Sequence, residues 1–254
     1  MRRTPSWAGP ARGAPREAAR ASWWPALGLG ILLVLYNNLV SLLPAQAQER
    51  YAWALVLGEM AALAAAVVWA LRWAGLGRAE AGLAERRPMP NALLGAGLGA
   101  LVICPVVIYF LFPLGVPRGE IDYEGVAGMT LGGFLLWALV QQPLGTALFE
   151  EAMYRGLLQG LAVRAWGLSR GLLFVAGAFA VSHLIINHRT VQETAVGEVP
   201  SLAVAAQVAS LVGLAVGSLL MSVLRLRTGG LAAPVSFHWA VVVAMQATLF
   251  ALSR

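Results

Sequence analysis

Residues 149–156 read Phe-Glu-Glu-Ala-Met-Tyr-Arg-Gly and set two adjacent carboxylates and a guanidinium inside a long apolar run. Ionisable groups are costly in hydrocarbon, so such a cluster is a functional site by default. Glu151 and Arg155 stand four apart, the spacing and order that favour an ion pair along one helix face. Glu150 is turned by about 100° from its neighbour and is free to aim elsewhere. An acid so placed suits a general base that takes a proton from water.

Two imidazoles, His183 and His238, follow in later apolar runs. His183 lies four residues after Phe179, so ring and imidazole share a helix face. Glu150, His183 and His238 could together hold a zinc ion with an open position for water. They could equally act without metal, Glu150 and His183 activating the water and His238 stabilising the oxyanion. The chain has no His-Glu-x-x-His, so that type of zinc-binding helix is absent. The residues alone leave both chemistries open. His188 reads as a loop residue beside Asn187 and Arg189. Glu59 is a further acid in an apolar run, placed to pair with a core cation or to line a polar pocket.

The elements that must carry these groups are membrane helices. Of the 254 residues, 59% are hydrophobic and 12% charged, against about 25% charged in a soluble domain. Mean hydropathy is +0.72. The net charge of +6 comes from arginine without any lysine, spread over chain ends and loops. That distribution signals topology and gives no reason to expect a nucleic-acid partner. The expected fold is all-α, a polytopic transmembrane bundle of seven to eight spans, with a broken helix ahead of the Glu-Glu motif.

Residues 1–20 read as a disordered basic tail, 21–128 as N-terminal transmembrane helices, and 129–254 as the core helices of the same membrane domain. Spans are expected at about 23–43, 51–73, 91–112, from 129 onward, 171–186, 201–224 and 231–252. Pro143 and Gly145 interrupt the fourth and leave a second piece at 147–166. A helix broken at membrane depth usually lines a cavity. Gly95 with Gly99, and Gly213 with Gly217, form GxxxG patterns that read as close helix contacts. Cys104 has no internal disulfide partner and reads as a small core residue.

Arginine-rich segments (the N-terminus, 72–87, 164–170, 225–227) alternate with arginine-poor or acidic ones (44–50, 113–128, 187–200). The alternation fits seven crossings with a cytoplasmic N-terminus in a bacterial-type inner membrane. It leaves one mismatch. His238 falls about 10 Å from the cytoplasmic end of its span, and His183 about 20 Å from that of its own. Tilt, a displaced start, or a re-entrant 147–166 piece would bring them level.

Taken together, the residues resemble the CPBP family, which includes the CAAX prenyl endoproteases and bacteriocin-processing or immunity proteins. Glu150, Glu151 and Arg155 match its Glu-Glu-x-x-x-Arg. Phe179 and His183 match its Phe-x-x-x-His. His238, preceded by Arg-Thr-Gly-Gly-Leu-x-x-Pro, matches the histidine of its third motif. The likeness covers roughly residues 129–245. Where the family has Asn or Asp four residues after that histidine, this chain has Val242, and Gln246 stands one turn further. The resemblance implies an intramembrane endopeptidase of the CAAX protease type, glutamate-type or metal-dependent. Glu150 would be the base, His183 and His238 its partners, and a peptide or membrane-protein segment the substrate. A catalytically impaired scaffold or immunity protein is the alternative that Val242 favours. A transporter using the same charges is a third, and the two halves carry no evident inverted repeat to support it.

Overall fold

The computed structural model describes residues 22–112, 128–193 and 196–253. The expected tail at 1–20, and all but the end of the loop expected at 113–128, lie outside them. Every element among the described residues is a helix. In order they are α1 (Trp24–Val40), α2 (Ala45–Arg50), α3 (Ala52–Arg72), α4 (Pro88–Leu111) and α5 (Leu131–Trp166). Then come α6 (Leu168–Ser182), α7 (Leu184–Gln192), α8 (Pro200–Thr228) and α9 (Ala232–Leu252). Five of these are long and apolar enough to cross a bilayer, or up to six if the bent pair α6–α7 is one span. α1 is apolar too, at 17 residues. The chain is a multi-pass membrane protein. Large apolar side chains such as Leu57, Leu93, Leu101, Val204 and Val216 point outward, as lipid-facing residues do.

α5 is the axis. Every residue from Glu151 to Ala162 is buried, including the two charges Glu151 and Arg155. Around it pack Leu29 and Leu33 of α1, Ala70 of α3, Val175 and Phe179 of α6, Met221 and Leu224 of α8, and Phe237 of α9.

The expected break ahead of the glutamates does not form. α5 runs unbroken through Pro143, but Trp137–Leu148 and Ala152–Leu158 are wound as π-helix. Proline has no N–H to give to the carbonyl four residues back. The wider winding, with i→i+5 bonding, absorbs that loss without a gap in the helix. Glu150 and Glu151 sit on the one α-type turn, Phe149–Glu151, between the two π stretches.

A break does occur where none was expected. The span read as 171–186 bends by 45° at His183, between α6 and α7. Residues 187–192, read as polar loop, continue as helix.

The two GxxxG patterns part company. A Cβ on Gly95 would lie 2.0 Å from the Ala233 carbonyl oxygen, and one on Gly99 2.5 Å from that of Phe237. α4 and α9 therefore touch backbone to backbone there. Cβ atoms on Gly213 or Gly217 would meet nothing within 4 Å. The expected contact at that second pair is absent among the described residues. Cys104, read as a core residue, is exposed on α4.

The loop after α3 is folded down onto α5. Leu76 and Ala81 are buried, and the Glu80 backbone carbonyl lies so close to Gly160 that a Cβ there would come within 2.8 Å. Arg225 of α8, read from sequence as a topology charge in a turn, is buried and donates to the carbonyls of Ala79 and Glu80. Arg164 donates to the Ala74 and Gly75 carbonyls at 3.1 and 2.8 Å. Glu85 accepts from the Ala232 N–H at 3.0 Å, capping the start of α9.

Candidate active site

Three helices bring the predicted groups together. α5 supplies Glu150, Glu151 and Arg155, the end of α6 supplies Phe179 and His183, and α9 supplies His238. The site forms two carboxylate–imidazole pairs, one on each of the adjacent glutamates. Glu150 Oε2 faces His183 Nε2 at 3.8 Å. Glu151 Oε1 accepts from His238 Nδ1 at 2.9 Å. The i,i+4 ion pair also forms, with Arg155 Nε 3.2 Å from Glu151 Oε2 and both side chains fully buried. Glu151 thus bridges a guanidinium and an imidazole.

Phe179 is the wedge between the pairs. Its ring centroid lies 4.5 Å from that of His183 and 6.3 Å from that of His238. Tyr154 meets the ring edge-on at 5.1 Å. The Arg155 guanidinium carbon lies 4.3 Å from the ring centre, a cation–π arrangement that desolvation strengthens. Both histidines therefore pack against one aromatic ring.

The hydrogen bonds assign the His183 tautomer. Nδ1 lies 2.8 Å from the Phe179 carbonyl oxygen, which can only accept, so Nδ1 carries the proton. Ser182 Oγ donates to that same carbonyl at 2.8 Å. Nε2 is left as a lone pair aimed at Glu150. The 3.8 Å between Nε2 and Oε2 is too long for a direct hydrogen bond. Glu150 Oε2 is buried and has no hydrogen-bond partner within the protein.

The expected depth mismatch does not keep the histidines apart, since both reach the Phe179 ring. α6 has 15 residues and stops at His183, which lies at a bend of the chain rather than deep in a continuous span.

Beside the site a groove of about 800 Å³ opens between α1 and α3. Leu29, Leu32, Ala62, Ala66 and Trp69 line its length, and Phe149 and Met153 of α5 form its inner wall. Glu59 lies in this groove and accepts from the Tyr36 hydroxyl at 2.7 Å. The Tyr36 ring packs edge-on against Phe149, the residue before Glu150, with centroids 5.7 Å apart. Neither role read for Glu59 is found as such: its partner is the Tyr36 phenol, and the groove it lines is largely apolar.

Among the described residues, no group of three or more His, Cys, Asp or Glu side chains is arranged to hold a metal ion. Glu150, His183 and His238 are therefore not gathered as a three-ligand set. Each imidazole has its Nδ1 engaged, by Glu151 and by the Phe179 carbonyl, and keeps its Nε2 free.

Residues 132–244 match the family model described as Rce1-like, type II CAAX prenyl endopeptidase Rce1-like. Over that segment the chain is similar to the CAAX protease family. The matched segment runs along α5 to α9 and contains Glu150, Glu151, Arg155, Phe179, His183 and His238. That similarity points to a protease. No curated protein and no solved structure matches the chain.

Sequence reading missed Asn37 and Asn38 of α1, which lie outside the matched segment. Their side chains bond the backbone beside His183. The available signal was two adjacent amides in an otherwise apolar span.

Proposed function

We propose that the protein is an intramembrane endopeptidase that cleaves a peptide bond near the cytoplasmic half of the bilayer, and that Glu150 is its general base. The observation that carries this reading is the pairing of each adjacent glutamate with an imidazole from a different helix around Phe179.

The chemistry divides between the pairs. A water within reach of Glu150 Oε2 and His183 Nε2 gives its proton to the carboxylate and attacks the scissile carbonyl carbon through its oxygen. The carbonyl π pair moves onto oxygen. His238, braced at Nδ1 by Glu151, offers Nε2 toward that oxyanion; as an imidazolium it donates from both nitrogens. Collapse of the tetrahedral intermediate breaks the C–N bond, and Glu150 returns the proton to the leaving amine. Arg155 neutralises Glu151 and fixes its rotamer. The buried, unpartnered Oε2 of Glu150 supports its assignment as the base, because buried carboxylate oxygens otherwise find donors.

The substrate is a peptide or membrane-protein segment, its apolar portion lying in the groove between α1 and α3. That groove has the volume and apolar lining of a ligand site. The family description names a CAAX prenyl endopeptidase, so prenylated CAAX peptides belong in the substrate panel. The arginine pattern supports a cytoplasmic N-terminus and an inner-membrane location of bacterial type.

Val242 supports one competing reading, a membrane scaffold or immunity protein without catalysis. It stands one turn after His238 on α9, where the resemblance calls for Asn or Asp. Gln246 does not visibly replace it, since its Oε1 is buried without a hydrogen-bond partner.

The test is cleavage of prenylated and unprenylated peptides and of membrane-protein segments by purified protein in detergent or proteoliposomes. Glu150→Ala, His183→Ala and His238→Ala variants and metal analysis accompany it. Cleavage lost in all three variants is the expected result. Cleavage that survives Glu150→Ala would overturn the assignment. No cleavage by wild type, with full biological effect retained by Glu150→Gln, would favour the scaffold.

A further inference from the structure

Breaking a helix at His183 frees backbone groups that hydrocarbon cannot satisfy. Several of these groups are taken up from other elements. Asn37 Nδ2 donates to the Ser182 carbonyl at 2.9 Å. Asn38 Nδ2 donates to the Val181 carbonyl at 2.9 Å, and its Oδ1 accepts from the Ile185 N–H at 3.0 Å. Gln207 of α8 donates to the Leu184 carbonyl at 3.1 Å. Arg189 of α7 returns the tie by donating to the Ser41 and Leu43 carbonyls just past the end of α1, at 2.5 and 3.2 Å. Asn38 therefore straddles the break, holding a carbonyl on one side of His183 and an N–H on the other.

The consequence reaches the imidazole. His183 N–H bonds the Ala180 carbonyl instead of that of Phe179. The Phe179 carbonyl is thereby left to accept from Nδ1. The backbone bond that the break gives up becomes the bond that selects the tautomer and turns Nε2 toward Glu150. A continuous helix would return the Phe179 carbonyl to the backbone and release the ring.

We propose that Asn38, seconded by Asn37, is a positioning residue of the site: it splints the α6–α7 break so that His183 is held as the Nδ1–H tautomer with Nε2 facing Glu150. Its catalytic consequence rests on the reading of Glu150 and His183 as the water-activating pair. The tautomer itself does not. The segment that matches the protease family begins at residue 132, so α1 contributes to the site from outside it.

The chain has three histidines, which makes side-chain ¹⁵N spectra of the full-length protein in nanodiscs tractable. His183 is assigned by its loss in His183→Gln. Wild type should show a single Nδ1–H tautomer for His183. Asn38→Ala should show averaged tautomers there, an unchanged His238 signal, and a kcat at least tenfold lower with KM within twofold. Asn38→Asp keeps the acceptor for Ile185 and loses the donor to Val181. It should shift the spectrum in the same direction, and it serves if the alanine variant fails to fold. A folded variant with the wild-type His183 spectrum and kcat, and only a lower melting temperature, would make Asn38 purely structural and overturn the proposal. If wild type cleaves nothing, the protease reading fails on its own, while the spectra still decide whether Asn38 sets the tautomer.

Discussion

His238 and Glu151 are 87 positions apart in the chain, and their side chains meet at 2.9 Å. The same carboxylate holds Arg155 with its other oxygen, and neither member of that ion pair has any exposed side-chain surface. One anion thus serves α5 internally and fixes α9 against it.

Removing one partner of a buried ion pair strands the other charge, at a cost of about 3–5 kcal/mol. Arg155→Leu should therefore lower thermal stability in detergent severely, and Glu151→Gln should do the same. The double variant should be more stable than the sum of the two losses implies, because neither Arg155 nor Glu151 is left charged without the other. Melting of all four proteins gives the coupling directly.

The two GxxxG patterns should respond in opposite ways. Gly95→Ala places a methyl against the Ala233 backbone, so α4 and α9 must part, and a loss of about 1–3 kcal/mol is expected. Gly213→Ala and Gly217→Ala meet open space and remove helix-interior glycines. They should be neutral, or stabilising by about 0.4–1 kcal/mol. Thermal unfolding of the three variants separates the cases.

That contrast marks how far the residues alone could be read. Charges in an apolar run announced the site, and i,i+4 spacing announced the Glu151–Arg155 pair, because both follow from one helix and its solvent. Both glycine patterns look alike until the partner helix is known. The bend at His183 carries no proline or glycine and is held by amides on α1, which lie some 145 positions away. Pro143 suggested a break, but π-winding absorbed it, a choice that neighbouring packing decides. Arg225 looked like a surface charge because its targets, the Ala79 and Glu80 carbonyls, belong to a loop that folds back only in three dimensions. Long-range hydrogen bonds leave no periodicity, and they account for most of what could not be foreseen.

The groove between α1 and α3 makes a kinetic prediction. Ala62→Phe fills its lining without touching the carboxylate–imidazole pairs. It should raise KM by about tenfold, the scale of one or two lost methylene contacts, with kcat nearly unchanged. A fall in kcat with KM unchanged would show that the groove does not hold substrate. Steady-state cleavage of an apolar peptide series reads the difference.

The loop between α3 and α4 should depend on Arg225 more than on the Arg164–Glu80 ion pair. Arg225 is buried and bonds two carbonyls, whereas the Arg164–Glu80 ion pair is partly exposed and contributes less than about 1 kcal/mol. Arg225→Ala should open residues 74–87 to limited proteolysis, and Glu80→Gln should leave them largely protected.

The central claim is that Glu150 takes the proton from the attacking water. Glu150→Gln keeps the shape of the side chain and removes the base. Single-turnover cleavage by this variant, folded and still binding substrate, should fall by about 10²–10⁴-fold relative to wild type. Cleavage at the wild-type rate would contradict the account.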